Sequence, residues 1–366
     1  MLFARSFFQL VSHWLQNFYI HSLETNMKFR NTAAAAAALI FGATTAAHAA
    51  TLDDVKRKGE VACVVSTSLA GFAAPDASGR YTGFDVDFCR AVAAAVLGDP
   101  NKVKFVPATT KNRFTVLNSG EGDILFRNTT ETMSRDADLK LSFLPVNYYD
   151  GQGFLIRKSA GIKSATELGG ASVCIQTGTT TELNLADFMR TNGIKYDPVP
   201  VETNEEALTN YEGGRCDVYT TDASGIAATR TGLDNPSAHV ILPEIISKEP
   251  LAGAVRHGDD QWADIGKWVV NALINAEELG ITQRNVKSKA RKSGDNPKVN
   301  RLLGTEGGMG AMVGLDDKWA VRAISAVGNY GEIFERHIGK KTPLGLERGL
   351  NALWKDGGIL YAAPIR

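Results

Sequence analysis

Residues 127–135, reading RNTTETMSR, bring two guanidiniums, an amide and several hydroxyls into one short stretch. The stretch follows residues 123–126, DILF, an apolar run that reads as a short buried strand. Arginine offers a planar fork of donors that matches a carboxylate bidentately. A loop of this composition at a strand end is therefore suited to gripping a small anion. A second segment, residues 176–182 (QTGTTTE), runs glycine and hydroxyls straight into a helix. The unpaired N–H groups of its first turn, from Thr179 and Thr180, make an anion site. A third, residues 220–222 (TTD), places the Asp222 carboxylate at the end of a strand. A free amino acid needs donors for its carboxylate and an acceptor for its ammonium. Arg135 with the Thr179 and Thr180 amides would supply the donors, and Asp222 the acceptor. Each element alone reads as a helix cap, a surface carboxylate or a solvated loop charge. Their order along the chain is the more specific signal.

A scaffold must position these segments. The chain has 366 residues, room for one to three domains. Basic and acidic side chains balance at 40 each, which argues against a nucleic-acid partner, whose surface needs a clustered basic excess. Hydrophobic content is 44%, ordinary for a soluble globular protein. A basic start at Met27, an apolar run over residues 33–42 and an Ala-x-Ala site at residues 47–49 read as a secretory signal peptide spanning 27–49. Residues 1–26 read as an upstream extension outside the mature protein, which would begin near Ala50. No later run reaches 18 apolar residues, so nothing is expected to anchor the exported chain.

From residue 60 onward strand and helix signals alternate. Residues 61–65 read as a buried strand, 85–97 as a helix with one apolar face, 103–106 as a strand and 112–118 as a helix leading to the strand before Arg127. The same βαβαβ pattern restarts after residue 153, with strands at 171–176, 198–201 and 218–221 and helices at 180–191 and 205–212. Two α/β units with mostly parallel sheets follow. Residues 249–256 read as extended and 260–279 as a long helix. The tail from 282 reads as largely helical, with amphipathic runs at 319–327, 330–337 and 346–354. Residues 304–314 are glycine-rich without a phosphate-loop ending and read as a flexible connector.

Four cysteines, Cys63, Cys89, Cys174 and Cys216, all follow the signal. An even count in an exported chain suggests disulfides, and four allow three connectivities. Pairing within each unit gives Cys63–Cys89 and Cys174–Cys216, about 3–4 kcal/mol each in the chain-entropy model. There is no Cys-x-x-Cys pair, so neither a metal nor a redox site is expected, and no cofactor. His239, His257 and His337 lack ligand or triad spacing. Asp85 and Asp87 read as helix-start carboxylates.

At this level the chain resembles the type 2 periplasmic amino-acid-binding proteins of ABC uptake systems. The resemblance rests on residues 81–87 (YTGFDVD), 118–123, 130–135, 148–151 (YYDG), 178–182, 214–222 and 249–256. Residues 327–335 (VGNYGEIFE) and 348–354 (RGLNALW) resemble the branch that binds general L-amino acids. The resemblance implies an α/β fold of two lobes with a two-strand hinge. Residues 50–152 and 248–285 would form lobe one, 153–247 lobe two, and 286–366 a helical extension packed on lobe one. It further implies that Arg135, helped by Thr130 and by Thr180 with its backbone N–H, holds the ligand α-carboxylate. Asp222 would hold the ammonium with Asn128 nearby, and Ser66, Leu69 and Phe72 would line the side-chain pocket. Arg127 is no general family feature; it either holds acidic side chains or braces its loop. Expected partners are free L-amino acids over a broad range and a membrane permease, with the protein monomeric in the periplasm. A rival is a periplasmic enzyme on the same fold, of dehydratase or lytic transglycosylase type, for which Glu131 would be the general acid. A receptor sensor domain is a second rival, disfavoured because no membrane span or signalling domain follows.

Overall fold

The computed structural model describes residues 50–292 and 294–366; the expected signal peptide lies outside the described residues. The first half runs through α1 (Thr51–Lys58), β1 (Val61–Ser66), the hairpin β2 (Ala74–Pro75) and β3 (Tyr81–Thr82), α2 (Phe84–Leu97), β4 (Val103–Ala108), α3 (Arg113–Asn118), β5 (Ile124–Leu125) and the long β6 (Leu141–Asp150). Next come β7 (Gln152–Arg157), β8 (Ser172–Gln176), α4 (Thr180–Thr191), β9 (Asp197–Val201), α5 (Asn204–Glu212), β10 (Val218–Asp222), α6 (Ala223–Arg230) and β11 (His239–Ile241). The chain closes with β12 (Glu249–Arg256), α7 (Asp260–Glu278), α8 (Val286–Arg291), α9 (Pro297–Leu302), α10 (Trp319–Val327) and α11 (Tyr330–His337).

β1 is valine-rich and buried along its whole length, as a strand covered on both faces must be. It sits inside a sheet of order β4-β1-β5-β12-β6, and a second sheet has the order β11-β7-β10-β8-β9. Each sheet has a parallel core, β4-β1-β5 in one and β10-β8-β9 in the other. The crossing strands add antiparallel pairings, because a chain that leaves a lobe and returns must run both ways. The crossings touch at Gly151, between β6 and β7. A Cβ there would lie 2.3 Å from an Ile245 side-chain carbon and 2.8 Å from the Ser247 carbonyl oxygen. Only glycine lets the two crossings pack this closely.

Disulfides pin strand to helix in lobe one, Cys63–Cys89, and strand to strand-leading turn in lobe two, Cys174–Cys216. The tail braces lobe one through polar contacts. Arg322 of α10 donates to the Ala94 and Ala95 carbonyls at 3.1 and 2.6 Å, satisfying the open C-terminus of α2 with a cation. Asp87 accepts from Arg336 at 2.6 Å and meets His337 at 2.7 Å, and these partners hold its pKa down although burial opposes them. Tyr330 donates its hydroxyl to the Asn147 carbonyl at 2.8 Å.

Two expectations for the tail are corrected. Residues 304–314 are not a free connector. The Asp317 carboxylate accepts the Gly308 and Gly310 N–H groups at 2.9–3.0 Å, and Cβ atoms on Gly304 or Gly310 would collide with residues 316–317. The glycines are there for close approach. Residues 346–354 form only short 3-10 turns, Gly349–Asn351 and the start of Trp354–Asp356. Gly349 takes φ +47° and the Asn351 side chain clasps the Tyr149 N–H and carbonyl at 2.7 and 3.0 Å. That tertiary clasp outweighs the helical periodicity. No helix of the described residues is long and apolar enough to cross a membrane.

Candidate functional site

The strand ends of both sheets and the start of α4 enclose a cavity of about 40 Å³. Eight of the expected residues line it: Ser66, Leu69, Arg127, Asn128, Thr130, Thr179, Thr180 and Asp222. α4 starts here because Thr179 caps it, accepting the Glu182 N–H at 3.1 Å, while Gly178, at φ +72°, makes the turn and donates to the Glu182 carboxylate at 3.0 Å. Asn128 adopts φ +35°, a conformation asparagine tolerates better than most residues.

Two expected residues are elsewhere. Phe72 does not line the cavity. It is fully buried in lobe one, edge-on to Phe84 and Tyr148 at 5.9 and 5.7 Å, because the positive-φ turn at Gly71 carries it inward. Arg135 sits on a single wide helical turn, Ser134–Asp138, and is not among the residues that line the cavity. Its Nη1 donates to the Thr130 carbonyl at 2.8 Å and its guanidinium lies 5.2 Å from the Phe114 ring centre. Its Nε and Nη2 have no hydrogen-bond partner among the described residues.

Several lining residues were not anticipated, chiefly Arg113, Gln176 and Asn204. Arg113 reads from sequence as the polar start of a short helix after Lys111 and Asn112. It is in fact 2% exposed, and its Nη1 reaches the Arg127 and Asn128 carbonyls at 3.4 and 3.3 Å. An aromatic neighbour, Phe114, whose ring centre lies 4.7 Å from the guanidinium, was the available hint. Glu249 was also missed as a site residue. It is buried, and its carboxylate accepts from the hydroxyls of Thr130, Thr180 (2.8 Å) and Ser247 (2.7 Å) and from the Asn184 amide (2.7 Å). Donors from both lobes thus converge on one carboxylate at the hinge.

Arg113, Arg127 and Arg135 are all buried, and none forms an ion pair with a carboxylate among the described residues. Burial lowers all three pKa values, that of Arg127 to about 10, with the neighbouring guanidiniums adding to the effect at Arg113 and Arg127. Arg127 Nε is tied to the Ala108 carbonyl at 2.9 Å, and Asp85 is its compensating charge. Asp85, in the first turn of α2, is itself pushed by burial to about 7. Asp222, also in the cavity lining, has no hydrogen bond to its carboxylate among the described residues. Desolvation first, then the nearby Asp150 and Glu249, raise its pKa well above the usual range, and Asp150 is raised by burial to about 6.

Four lining residues each carry a buried polar atom without a partner: Ser66 Oγ, Arg113 Nε, Asn128 Oδ1 and Gln176 Nε2. Each such atom costs about 1–3 kcal/mol unless something bonds to it. The set holds both donors and acceptors and comes from four separate elements. It suits a small polar molecule carrying both signs of charge. No group of three or more metal-ligating side chains is present among the described residues. Glu131 is exposed and does not line the cavity.

The chain is 58% identical over 341 residues to the general L-amino acid-binding periplasmic protein AapJ of Rhizobium johnstonii, covering 93% of this chain and 99% of that one. It is 57% identical over 332 residues to the glutamate/glutamine/aspartate/asparagine-binding protein BztA of Rhodobacter capsulatus, covering 91% and 97%. A periplasmic binding protein from Brucella ovis, solved with glutathione bound, superposes with a TM-score of 0.84 at 57% identity, over 87% of this chain and all of that one. Residues 61–285 match the bacterial extracellular solute-binding proteins, family 3, and the chain belongs to that family.

Proposed function

We propose that the protein captures free L-amino acids in the periplasm, over a broad range of side chains, and delivers them to the permease of an ABC transporter. The observation that carries this reading is the set of unsatisfied groups around one cavity: the Arg113 and Arg127 guanidiniums without an ion-pair partner, the Asp222 carboxylate without a hydrogen bond among the described residues, and the buried polar atoms of Ser66, Asn128 and Gln176. A zwitterion satisfies both halves. The names of the relatives agree with it, one being a general L-amino acid binder and another a binder of acidic amino acids and their amides.

In this reading the open N–H groups at the start of α4 and the two free donors of Arg135 beside Thr130 take the α-carboxylate. Asp222 and the Asn128 Oδ1 take the ammonium. Arg113 and Arg127 form a cationic wall that favours side chains ending in oxygen, while Arg127 also braces its loop through Ala108. The protein acts as a monomer. Because the site takes groups from both lobes, the ligand favours the shut arrangement, and the shut lobes present the surface that the permease reads.

A thermal-shift screen of the twenty amino acids in L and D form, with glutathione added, tests the reading. Several L-amino acids should raise the melting temperature and their D-forms should do so much less. A screen in which no L-amino acid stabilises the protein refutes it.

A further inference from the structure

The amino-acid compartment is small. A water needs roughly 10–15 Å³ of such space, so about 40 Å³ holds about three waters. A second cavity of about 160 Å³ adjoins it and shares two of its walls, Leu69 and Asn204. Asn204 stands as the partition. From the first residue of α5 in lobe two, its Nδ2 donates to the Ser68 carbonyl of lobe one at 3.2 Å, and its Oδ1 accepts from Tyr219 at 3.3 Å. Beyond the partition the walls are mainly hydrocarbon, from Leu69, Ala70, Leu208 and Ala228. Among the described residues that line it, the one charged group is the exposed Glu205 carboxylate.

We infer that this annex is a second binding compartment, which receives an uncharged apolar group carried at the far end of the ligand's side chain. The inference rests on the amino-acid reading above and extends it to amino acids substituted on a side-chain amide nitrogen. The first compartment has room for the zwitterionic head and a side chain that ends at the Asn204 partition, so a group carried beyond the side-chain amide must pass Leu69 and Asn204. The Asn204 amide can pair with a secondary amide passing it, exchanging its bond to Ser68 for one to the ligand. An apolar substituent then meets hydrocarbon, whereas an anionic one meets Glu205. Annex residues come from both lobes, so a group lodged there also bridges them.

Calorimetry with L-glutamine, N5-ethyl-L-glutamine and N5-benzyl-L-glutamine tests this on the intact protein and on Ala70→Phe and Thr231→Phe. Both positions are exposed annex residues, so the variants should fold normally. The benzyl compound should bind within tenfold of glutamine, and each phenylalanine should weaken it at least tenfold while leaving glutamine within twofold. A benzyl compound more than tenfold weaker than glutamine overturns the annex and leaves the amino-acid reading standing. So does an equal loss of both ligands in the variants. Failure of glutamine and of every other amino acid to bind the parent protein overturns both.

Discussion

Replacing Asp222 with asparagine tests the ammonium half of the site, because the shape is kept and only the charge goes. At about 4 Å and an effective dielectric near 20, a carboxylate and an ammonium attract by about 4 kcal/mol. Part of that is spent on ionising Asp222, whose pKa burial and two neighbouring carboxylates hold well above normal. The expected loss is therefore about 2–4 kcal/mol, or roughly 30- to 1000-fold in Kd for L-glutamine by calorimetry at pH 7.5. Glutaramic acid, which is glutamine without its amino group, should lose almost nothing. Stability without ligand should move the other way. A carboxylate whose folded pKa is raised contributes stability that is complete below its unfolded pKa of about 3.8 and is lost as pH rises through the folded value. At pH 7.5 Asp222 is thus a burden that asparagine removes, and the variant's melting temperature should rise while its affinity falls. Equal loss for glutamine and glutaramic acid, or a lower melting temperature with unchanged affinity, would refute the reasoning.

The other charged groups make separate predictions. Arg135→Ala should weaken every amino acid by about 2–5 kcal/mol, since it strips the shared α-carboxylate of its partner. Arg113→Ala should instead weaken glutamate and aspartate far more than alanine, and calorimetry that finds the two variants alike would reject the division. Affinity should fall as pH drops from 7.5 to 5, because Asp222, which burial and its neighbours raise well above the usual carboxylate range, and Asp150, which burial raises to about 6, take up protons in the empty cleft, and binding there should release protons to the buffer. A flat profile between pH 5 and 7.5 counts against both carboxylates. Glu249→Ala leaves the Thr130, Thr180 and Asn184 donors without their acceptor and should cost about 2–4 kcal/mol in denaturant unfolding. Serine at both Cys174 and Cys216, 42 residues apart, should cost about 4 kcal/mol in the chain-entropy model, against about 3.5 for Cys63 and Cys89, 26 apart.

Much of the scaffold is legible in the chain because its signals are local. The valine run of β1, the largely apolar run of α2 ending at Gly98 and the glycine-threonine entry to α4 each announce themselves within a dozen residues, although α2 is buried nearly all round rather than on the one face its spacing suggests. α10 and α11 occupy the runs read from periodicity alone. The same logic misreads residues 346–354, where the spacing is helical but Asn351 is committed to the backbone of Tyr149, about 200 positions away. Nothing within reach of the local sequence reports that commitment.

The site divides along the same line. Thr179, Thr180 and Asp222 are brought to the cavity by a helix start and a strand end, both legible in the sequence. Arg113 and Glu249 are missed because a buried charge is the last role composition suggests for either. Arg113 becomes buried only when the loop after β5 folds over it and offers it carbonyl oxygens. Glu249 becomes a junction only when hydroxyls from both lobes converge on it. That convergence constrains the chemistry. The Thr130 and Thr180 hydroxyls that would serve a ligand carboxylate already give their protons to Glu249. They can meet the ligand with lone pairs, so the donors for its carboxylate must be N–H groups, from the start of α4 and from arginine. Removing those two hydroxyls with valine should therefore spare carboxylate binding far more than losing Arg135 does. If instead Thr180→Val costs as much as Arg135→Ala, the hydroxyls are donors to the ligand and Glu249 does not hold their protons when the cleft is filled.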